Sequence, residues 1–144
     1  ALNGEIKRLL LPLQDAPSVS YANSIPAMGF IYEPDAALMK SGAFNEVARI
    51  FSLLKLHRHS HLYYADTVNK QFMGRIFEIE AFLTPNELKK EKNLKGNVLV
   101  RNFPEQPEVL VKKYKIAPSK SQFLIFTQGQ TGYMVVKAKI IQYY

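Results

Sequence analysis

The sequence contains no cysteine. A chain without cysteine has no disulfide, no thiolate nucleophile and no cysteine-ligated zinc site. No run of the sequence approaches the roughly 18 apolar residues that a membrane-spanning helix needs. No apolar segment follows a basic flank near the first residue, as it would in a signal peptide. We therefore expect a cytoplasmic protein without a membrane partner.

Glycine is also scarce, with 7 residues in 144. None of them forms G-x-G-x-x-G or G-x-x-x-x-G-K-[ST], the loops that cradle phosphate groups of nucleotides and cofactors. No serine stands in the G-x-S-x-G context of an activated nucleophile. The sequence therefore predicts no cofactor-binding residue and no catalytic residue in this chain.

The formal net charge of +7 is concentrated in the second half of the chain. Residues 1–74 contain seven lysines and arginines against six acidic residues, whereas residues 75–144 contain twelve against six. A basic half-domain attracts polyanions such as RNA, DNA or an anionic membrane surface. The alternative is that the lysines only keep a small protein in solution. The chain begins with alanine rather than methionine and enters a strand-like run at once, so we expect a fragment of a longer protein.

The first half of the sequence predicts the order β-β-α-β. Pro34 suits the first helical position because its φ is preset and it has no N–H group, while Asp35 lies near the positive end of the helix dipole. Apolar residues then recur at helical spacing, and Gly42 within them favours a break or a close backbone approach. We predict a strand at 4–13, a loop at 14–27, a strand at 30–32, a helix from Asp35 to about Leu54 and a strand at 61–67.

The second half alternates strands and short helices. Thr84, Pro85 and Glu87 stand at the N-cap, N1 and N3 positions of a capping box. On the last strand, Val136 and Ala138 share one face while Val135 and Lys137 share the other, which predicts a hairpin with one buried face. We predict strands at 75–83, 98–103, 122–127 and 132–144, a helix from 84 to about 93, and a second helix within 104–115.

The expected fold class is α+β. Two small mixed α/β subdomains are predicted, at residues 1–71 and 72–144, and the second has the order β-α-β-α-β-β. Strands connected through helices form parallel pairs, and the final hairpin adds an antiparallel pair.

Three histidines, His57, His59 and His61, stand at alternate positions. In an extended segment their imidazoles would point to one side, a geometry that can bind zinc, copper or nickel. Arg58 lies among them and no cysteine completes the ligand set, so exposed histidines in a loop are the alternative. The sequence leaves their role open.

Two carboxylates, Glu33 and Asp35, flank Pro34. Such a pair can divide the roles of general acid and base when its pKa values are driven apart. A carboxylate at a helix N-terminus is the commoner structural use. We therefore favour helix capping over catalysis.

A group of basic residues in the second half is the strongest functional signal. If both short helices pack on one face of the sheet, their cations line a stripe that can follow a phosphate backbone. Phe103, Tyr114 and Tyr133 would offer rings for stacking on unpaired bases. The alternative is two helices with solvated outer faces, interrupted by Glu87 and Glu91. The predicted nucleic-acid-binding residues are Lys89, Lys90, Lys92, Lys95, Arg101, Lys112, Lys113 and Lys115.

Several short strings together resemble a known family, and the likeness covers nearly the whole chain. The strings are Phe30-Ile31-Tyr32-Glu33-Pro34-Asp35-Ala36-Ala37 with Lys40-Ser41-Gly42-Ala43-Phe44, then Leu62-Tyr63-Tyr64-Ala65-Asp66, Gly74-Arg75-Ile76-Phe77 and Val100-Arg101-Asn102-Phe103-Pro104. They are similar to the C-terminal region of a family of bacterial class I S-adenosylmethionine-dependent methyltransferases. In that family a ferredoxin-like piece and a THUMP-like domain follow the catalytic domain.

The resemblance implies a ferredoxin-like part at residues 1–71 and a THUMP-like part at 72–144. THUMP domains help modification enzymes dock on structured RNA, so it implies binding to tRNA or rRNA beside a parent methyltransferase domain in cis. In the resemblance, S-adenosylmethionine would bind in the missing N-terminal domain. No active-site residue of the family has a counterpart in this sequence. The fragment alone would therefore be inactive. The alternative is a protein-interaction or dimerisation module of the same parent.

Overall fold

The computed structural model describes residues 28–41, 44–57 and 59–143. The predicted strand at 4–13, the predicted loop at 14–27 and Gly42 lie outside the described residues. None of the described helices is long or apolar enough to cross a membrane. The elements in chain order are β1 (Phe30–Pro34), α1 (Ala36–Ser41), α2 (Phe44–Ile50), β2 (Leu54–His57), β3 (Ser60–Ala65), β4 (Gly74–Leu83), α3 (Pro85–Lys89), β5 (Asn97–Val100), α4 (Pro107–Tyr114), β6 (Gln122–Gly129) and β7 (Gly132–Gln142).

The strands that the structure describes form one seven-stranded mixed sheet in the order β2-β3-β1-β4-β7-β6-β5. The strands β5 and β6, which α4 connects, are parallel, and the other neighbouring strands are antiparallel. The α+β prediction is confirmed. Because β1 pairs with β3 on one side and β4 on the other, strands from both predicted subdomains share the sheet. The division into subdomains at 1–71 and 72–144 stays a prediction.

The four helices within the described residues lie on one face of the sheet. Successive side chains of a strand point to opposite faces; accordingly, Tyr63 packs in the cluster beneath α1 and α2, and Tyr64 packs on the other side. A second cluster beneath α3 and α4 contains Leu88, Leu110 and the fully buried Val135. The prediction that only one face of β7 is buried is therefore wrong, because these two helices cover the face on which Val135 lies.

The opposite face is closed by curvature of the sheet. Strand β2 is at one edge and β6 lies near the other, yet Leu56 of β2 and Ile125 of β6 belong to one buried cluster. Gln130 Nε2 donates to the Leu56 carbonyl oxygen at 2.9 Å, and Ser60 Oγ donates to the Gln128 carbonyl oxygen at 3.0 Å. The sheet therefore curls until the β2–β3 hairpin meets the β6–β7 hairpin.

The junction between β1 and α1 differs from the prediction. Pro34 is the last residue of β1, and Asp35 is the cap, with its Oδ1 accepting a hydrogen bond from the Leu38 N–H at 2.8 Å. The helical segment forms two short helices, in agreement with the break that was one alternative for Gly42, and it ends at Ile50 rather than near Leu54. Leu54 instead begins β2 and lies opposite Tyr64 of β3, a pairing that helical periodicity does not reveal.

The capping box at the start of α3 is confirmed. Thr84 Oγ1 accepts from the Glu87 N–H at 3.1 Å, and Glu87 Oε1 accepts from the Thr84 N–H at 2.8 Å. The helix ends at Lys89, earlier than the predicted Asn93. Asn93 adopts a left-handed φ of 58°, which turns the chain so that Leu94 is buried.

We predict that Thr84→Ala lowers the free energy of unfolding by about 1 kcal/mol, because the N-terminus of α3 loses a hydrogen-bond acceptor. The backbone hydrogen bond from Thr84 lowers the pKa of Glu87. A lowered carboxyl pKa means that the contribution of Glu87 is complete above its ordinary pKa and is lost as the pH falls through the lowered value. Urea unfolding at several pH values measures both effects. Thr131→Ala, in the exposed β6–β7 turn, is the control, and an equal loss in both variants would contradict the prediction.

Candidate functional site

The basic residues predicted from the sequence lie in two places. The loops that follow α3 and α4 run side by side, because the Gly96 N–H donates to the Ala117 carbonyl oxygen at 2.8 Å and the Ala117 N–H donates to that of Leu94 at 2.9 Å. The loops that leave the two helices are therefore neighbours. The seven lysines of the predicted set lie on these helix ends and loops and are all exposed, and we call them the lysine surface: Lys89, Lys90, Lys92, Lys95, Lys112, Lys113 and Lys115.

The acidic residues that interrupt this set in the sequence are engaged in other contacts. Glu87 is part of the capping box. The Glu91 carboxylate lies 3.2 Å from Lys137 Nζ, a cation outside the predicted set. Within the lysine surface, Lys113 Nζ lies 3.3 Å from the Glu105 carboxylate. Glu87 and Glu91 therefore bind groups outside the lysine surface, whereas Glu105 neutralises part of the charge of Lys113.

The three aromatic residues proposed for base stacking have different environments. Tyr114 is buried against the sheet because Leu110 and Tyr114 lie one turn apart on the inner side of α4, so the expectation for this residue is wrong. Phe103 packs between Phe126 and Tyr133, with ring centroids 5.4 and 5.1 Å away. Tyr133 is 48% exposed and can present a ring to a ligand.

Arg101 lies away from the lysine surface. It follows β5, and the four residues of this strand span about 13 Å of extended chain between Arg101 and the loop that contains Lys95. Its Nε donates to Glu33 Oε2 at 2.5 Å, and its Nη1 donates to the Val100 carbonyl oxygen at 2.7 Å. Its contact with phosphate stays a prediction. If Arg101 binds a phosphate group, it does so at a different place from the lysines.

Arg75 binds the same carboxylate. Its Nε donates to Glu33 Oε1 at 2.7 Å, and its Nη2 also reaches that oxygen. Glu33 is only 8% exposed. A buried charge is tolerated when it is paired and hydrogen-bonded, and two guanidinium groups satisfy both carboxylate oxygens here. Glu33 is therefore an ion-pair partner; the capping prediction is right for Asp35 and wrong for Glu33.

These ion pairs border a cleft of about 470 Å³. Glu33, Pro34 and Asp35 form one wall, Gly74 and Arg75 another, and Arg101 and Asn102 a third, with His59, His61 and Tyr143 at the margin. Three of the strings that carry the family resemblance thus meet at one place. We call this place the arginine cleft.

Gly74 is required where β4 enters the arginine cleft. Its φ is +154°, and a Cβ atom would lie 2.0 Å from the Glu33 carbonyl oxygen and 2.7 Å from the Phe72 ring. A residue with a side chain would push β4 away from β1. Glycine therefore allows Arg75 to lie directly opposite Glu33 in the sheet.

The three histidines lie around a hairpin and do not share one strand. His57 ends β2, His59 is in the turn, and His61 is in β3. The His59 N–H donates to His57 Nδ1 at 3.1 Å. Burial, the charge of Lys55 and the proximity of His59 lower the pKa of His61. No group of three potential ligands in the described part of the chain is arranged to hold a metal ion.

A buried polar cluster beside the arginine cleft was missed in the sequence. Asn102 Nδ2 donates to Ser60 Oγ at 3.1 Å and to Gln128 Oε1 at 3.2 Å, and Thr127 Oγ1 donates to Ser60 Oγ at 3.2 Å. Ser60 and Thr127 are fully buried. Serine and threonine give no sequence signal for such contacts. Glu33 did give one, because a carboxylate after Phe30-Ile31-Tyr32 in an apolar strand requires a cationic partner.

We predict that Glu33→Gln lowers the free energy of unfolding by about 2 kcal/mol, because two guanidinium groups lose their shared anion. The cost stays moderate because the side chains of Arg75 and Arg101 are 29% and 40% exposed and can be rehydrated. Denaturant unfolding measures the change. Glu108→Gln, at an exposed position of α4, is the control. Equal stability of the two variants would show that the ion pairs do not stabilise the fold.

Comparison with known proteins agrees with the two parts of the resemblance. Residues 30–72 match the family model of a ferredoxin-like domain, and residues 74–138 match a model described as THUMP domain-like. No protein with a curated description matches the chain.

A solved structure is also similar to this chain. It is described as a "putative methyltransferase" from Porphyromonas gingivalis W83, with 32% sequence identity and a TM-score of 0.73. The similarity covers 88% of this chain but only 32% of that chain, so this sequence spans about a third of its solved relative. The fold is thus a mixed sheet with few helices to which ferredoxin-like and THUMP-like domains fit.

Proposed function

We propose that this chain is the RNA-binding accessory region of an S-adenosylmethionine-dependent RNA methyltransferase. The observation that carries the proposal is the lysine surface, seven exposed lysines on two helices and on the loops that follow them, which run side by side. The THUMP-like match and the similarity to a protein described as a methyltransferase support it.

The lysine surface suits a phosphate backbone for three reasons. Exposed ammonium groups bind phosphates as point charges and release counterions, which makes the affinity strongly dependent on salt. Such contacts fix the position of a nucleic acid without reading its sequence. The two helices are held on the sheet by Leu88, Leu110 and Tyr114, so the lysine-bearing backbone has a fixed geometry.

In this proposal, methyl transfer takes place on residues outside this chain. The sequence has no glycine-rich loop of the G-x-G-x-x-G kind, so we assign S-adenosylmethionine to the catalytic domain of the parent. The role of the chain is to hold structured RNA, such as tRNA or rRNA, beside the catalytic domain in cis. The chain alone is then expected to be inactive.

We predict salt-dependent binding of structured RNA to the 144-residue chain. Fluorescence anisotropy across a salt series, with tRNA, a structured rRNA fragment and a random duplex, measures affinity and preference. Lys89→Gln together with Lys112→Gln removes two phosphate contacts, which weakens binding about tenfold and lowers the salt slope by about 1.5.

The matched control is Lys40→Gln together with Lys70→Gln, which changes the net charge equally at exposed positions in the other half of the chain. It should change the affinity little. Equal losses of RNA affinity in both double variants would mean that the net charge of the chain alone attracts the RNA. Absence of binding at low salt would overturn the proposal, and self-association of the chain would then favour the dimerisation alternative.

A further inference from the structure

The arginine cleft contains guanidinium groups with free donors. A guanidinium has five N–H groups, and Glu33 and the Val100 carbonyl oxygen occupy only some of them. Arg75 Nη1 and Arg101 Nη2 donate to no group among the residues that the structure describes. Two positive charges share one buried carboxylate, so this group of three residues has an excess of one positive charge.

The carboxylate orients both arginines before any ligand arrives. The side chains of Arg75 and Arg101 are 29% and 40% exposed, while that of Glu33 is 10% exposed. The guanidinium of Arg75 also lies 5.5 Å from the centre of the Phe77 ring and 5.9 Å from that of Phe123. Groups held in place in this way lose little conformational freedom on binding.

The charges around the arginine cleft favour an anion. Arg75 and Arg101 face it with His59 and His61, and Lys55 is close enough to lower the pKa of His61 after the larger effect of burial. The carboxylates that face it are Glu33, which both arginines neutralise, and Asp35, which accepts a hydrogen bond from the α1 backbone. A planar guanidinium fork matches phosphate geometry, and about 470 Å³ is a ligand-sized volume.

We propose that the arginine cleft binds a phosphate monoester, with Arg75 and Arg101 as the groups that contact its oxygens. This site differs from the lysine surface and does not depend on it, because inorganic phosphate alone can test it. The phosphoryl group can belong to a free nucleotide or to the end of an RNA chain, and the experiment includes both.

Binding is measured on the 144-residue chain by isothermal titration with inorganic phosphate, AMP, adenosine, and an RNA oligonucleotide with either a 5′-phosphate or a 5′-hydroxyl group. Phosphate and AMP should bind, and adenosine should not. If the oligonucleotide binds more tightly with a 5′-phosphate than with a 5′-hydroxyl group, and Arg101→Gln removes that difference, the source is an RNA end. If the two oligonucleotides bind equally while AMP binds, the source is a nucleotide. In parallel, histidine NMR signals follow the titration of His61 between about pH 5 and 8, and a bound phosphate should raise its pKa.

Arg101→Gln should abolish phosphate binding, and Arg101→Lys should weaken it about tenfold because the bidentate fork is lost but the charge remains. Urea unfolding shows whether Arg101→Gln folds. If it does not fold, Arg101→Lys tests the proposal in its place. Lys89→Gln with Lys112→Gln should leave phosphate binding unchanged, so failure of this proposal is distinguishable from failure of the RNA proposal. Unchanged His61 titration at millimolar phosphate, or equal phosphate binding by the wild-type chain and the Arg101 variants, would overturn it.

Discussion

The Glu33 carboxylate joins three parts of the chain that are distant in sequence. Arg75 is 42 residues away and Arg101 is 68 residues away, and both bind this one side chain. Glu33 and Arg75 lie opposite each other on neighbouring strands, whereas Arg101 arrives from the far edge of the sheet. This contact requires the sheet to curl. The curvature, the buried cluster inside it and the shape of the arginine cleft therefore depend on one another.

Local sequence signals predicted the local structure well. The capping box at Thr84, the carboxylate cap at Asp35 and the turn between β6 and β7 are each encoded within a few residues. Leu54 and Val135 were misassigned because their environments come from distant partners. Leu54 pairs with Tyr64 across a hairpin, and Val135 is covered by two helices earlier in the chain.

The candidate sites also combine residues that local sequence signals reveal with contacts between distant parts of the chain that they do not reveal. The lysines are clustered in two segments of the sequence, and the parallel pairing of β5 and β6 accompanies hydrogen bonds that place the loops after α3 and α4 side by side. Arg101 is close to these lysines in the sequence and separate from them in the structure. No property of a single segment indicates that Tyr32-Glu33-Pro34-Asp35, Gly74-Arg75 and Arg101-Asn102 border one cleft. Only the resemblance marked these strings as a group.

Among the described residues, the strands at the edges of the sheet are β2 and β5, and each has only four residues. An edge strand presents unpaired backbone groups that can recruit another chain, and short edges limit this risk. Side chains bind two of the backbone carbonyl groups on these edge strands: Gln130 donates to the Leu56 carbonyl oxygen, and Arg101 donates to that of Val100. Those two contacts therefore leave fewer carbonyl groups along these edges open to pairing with a strand of another chain.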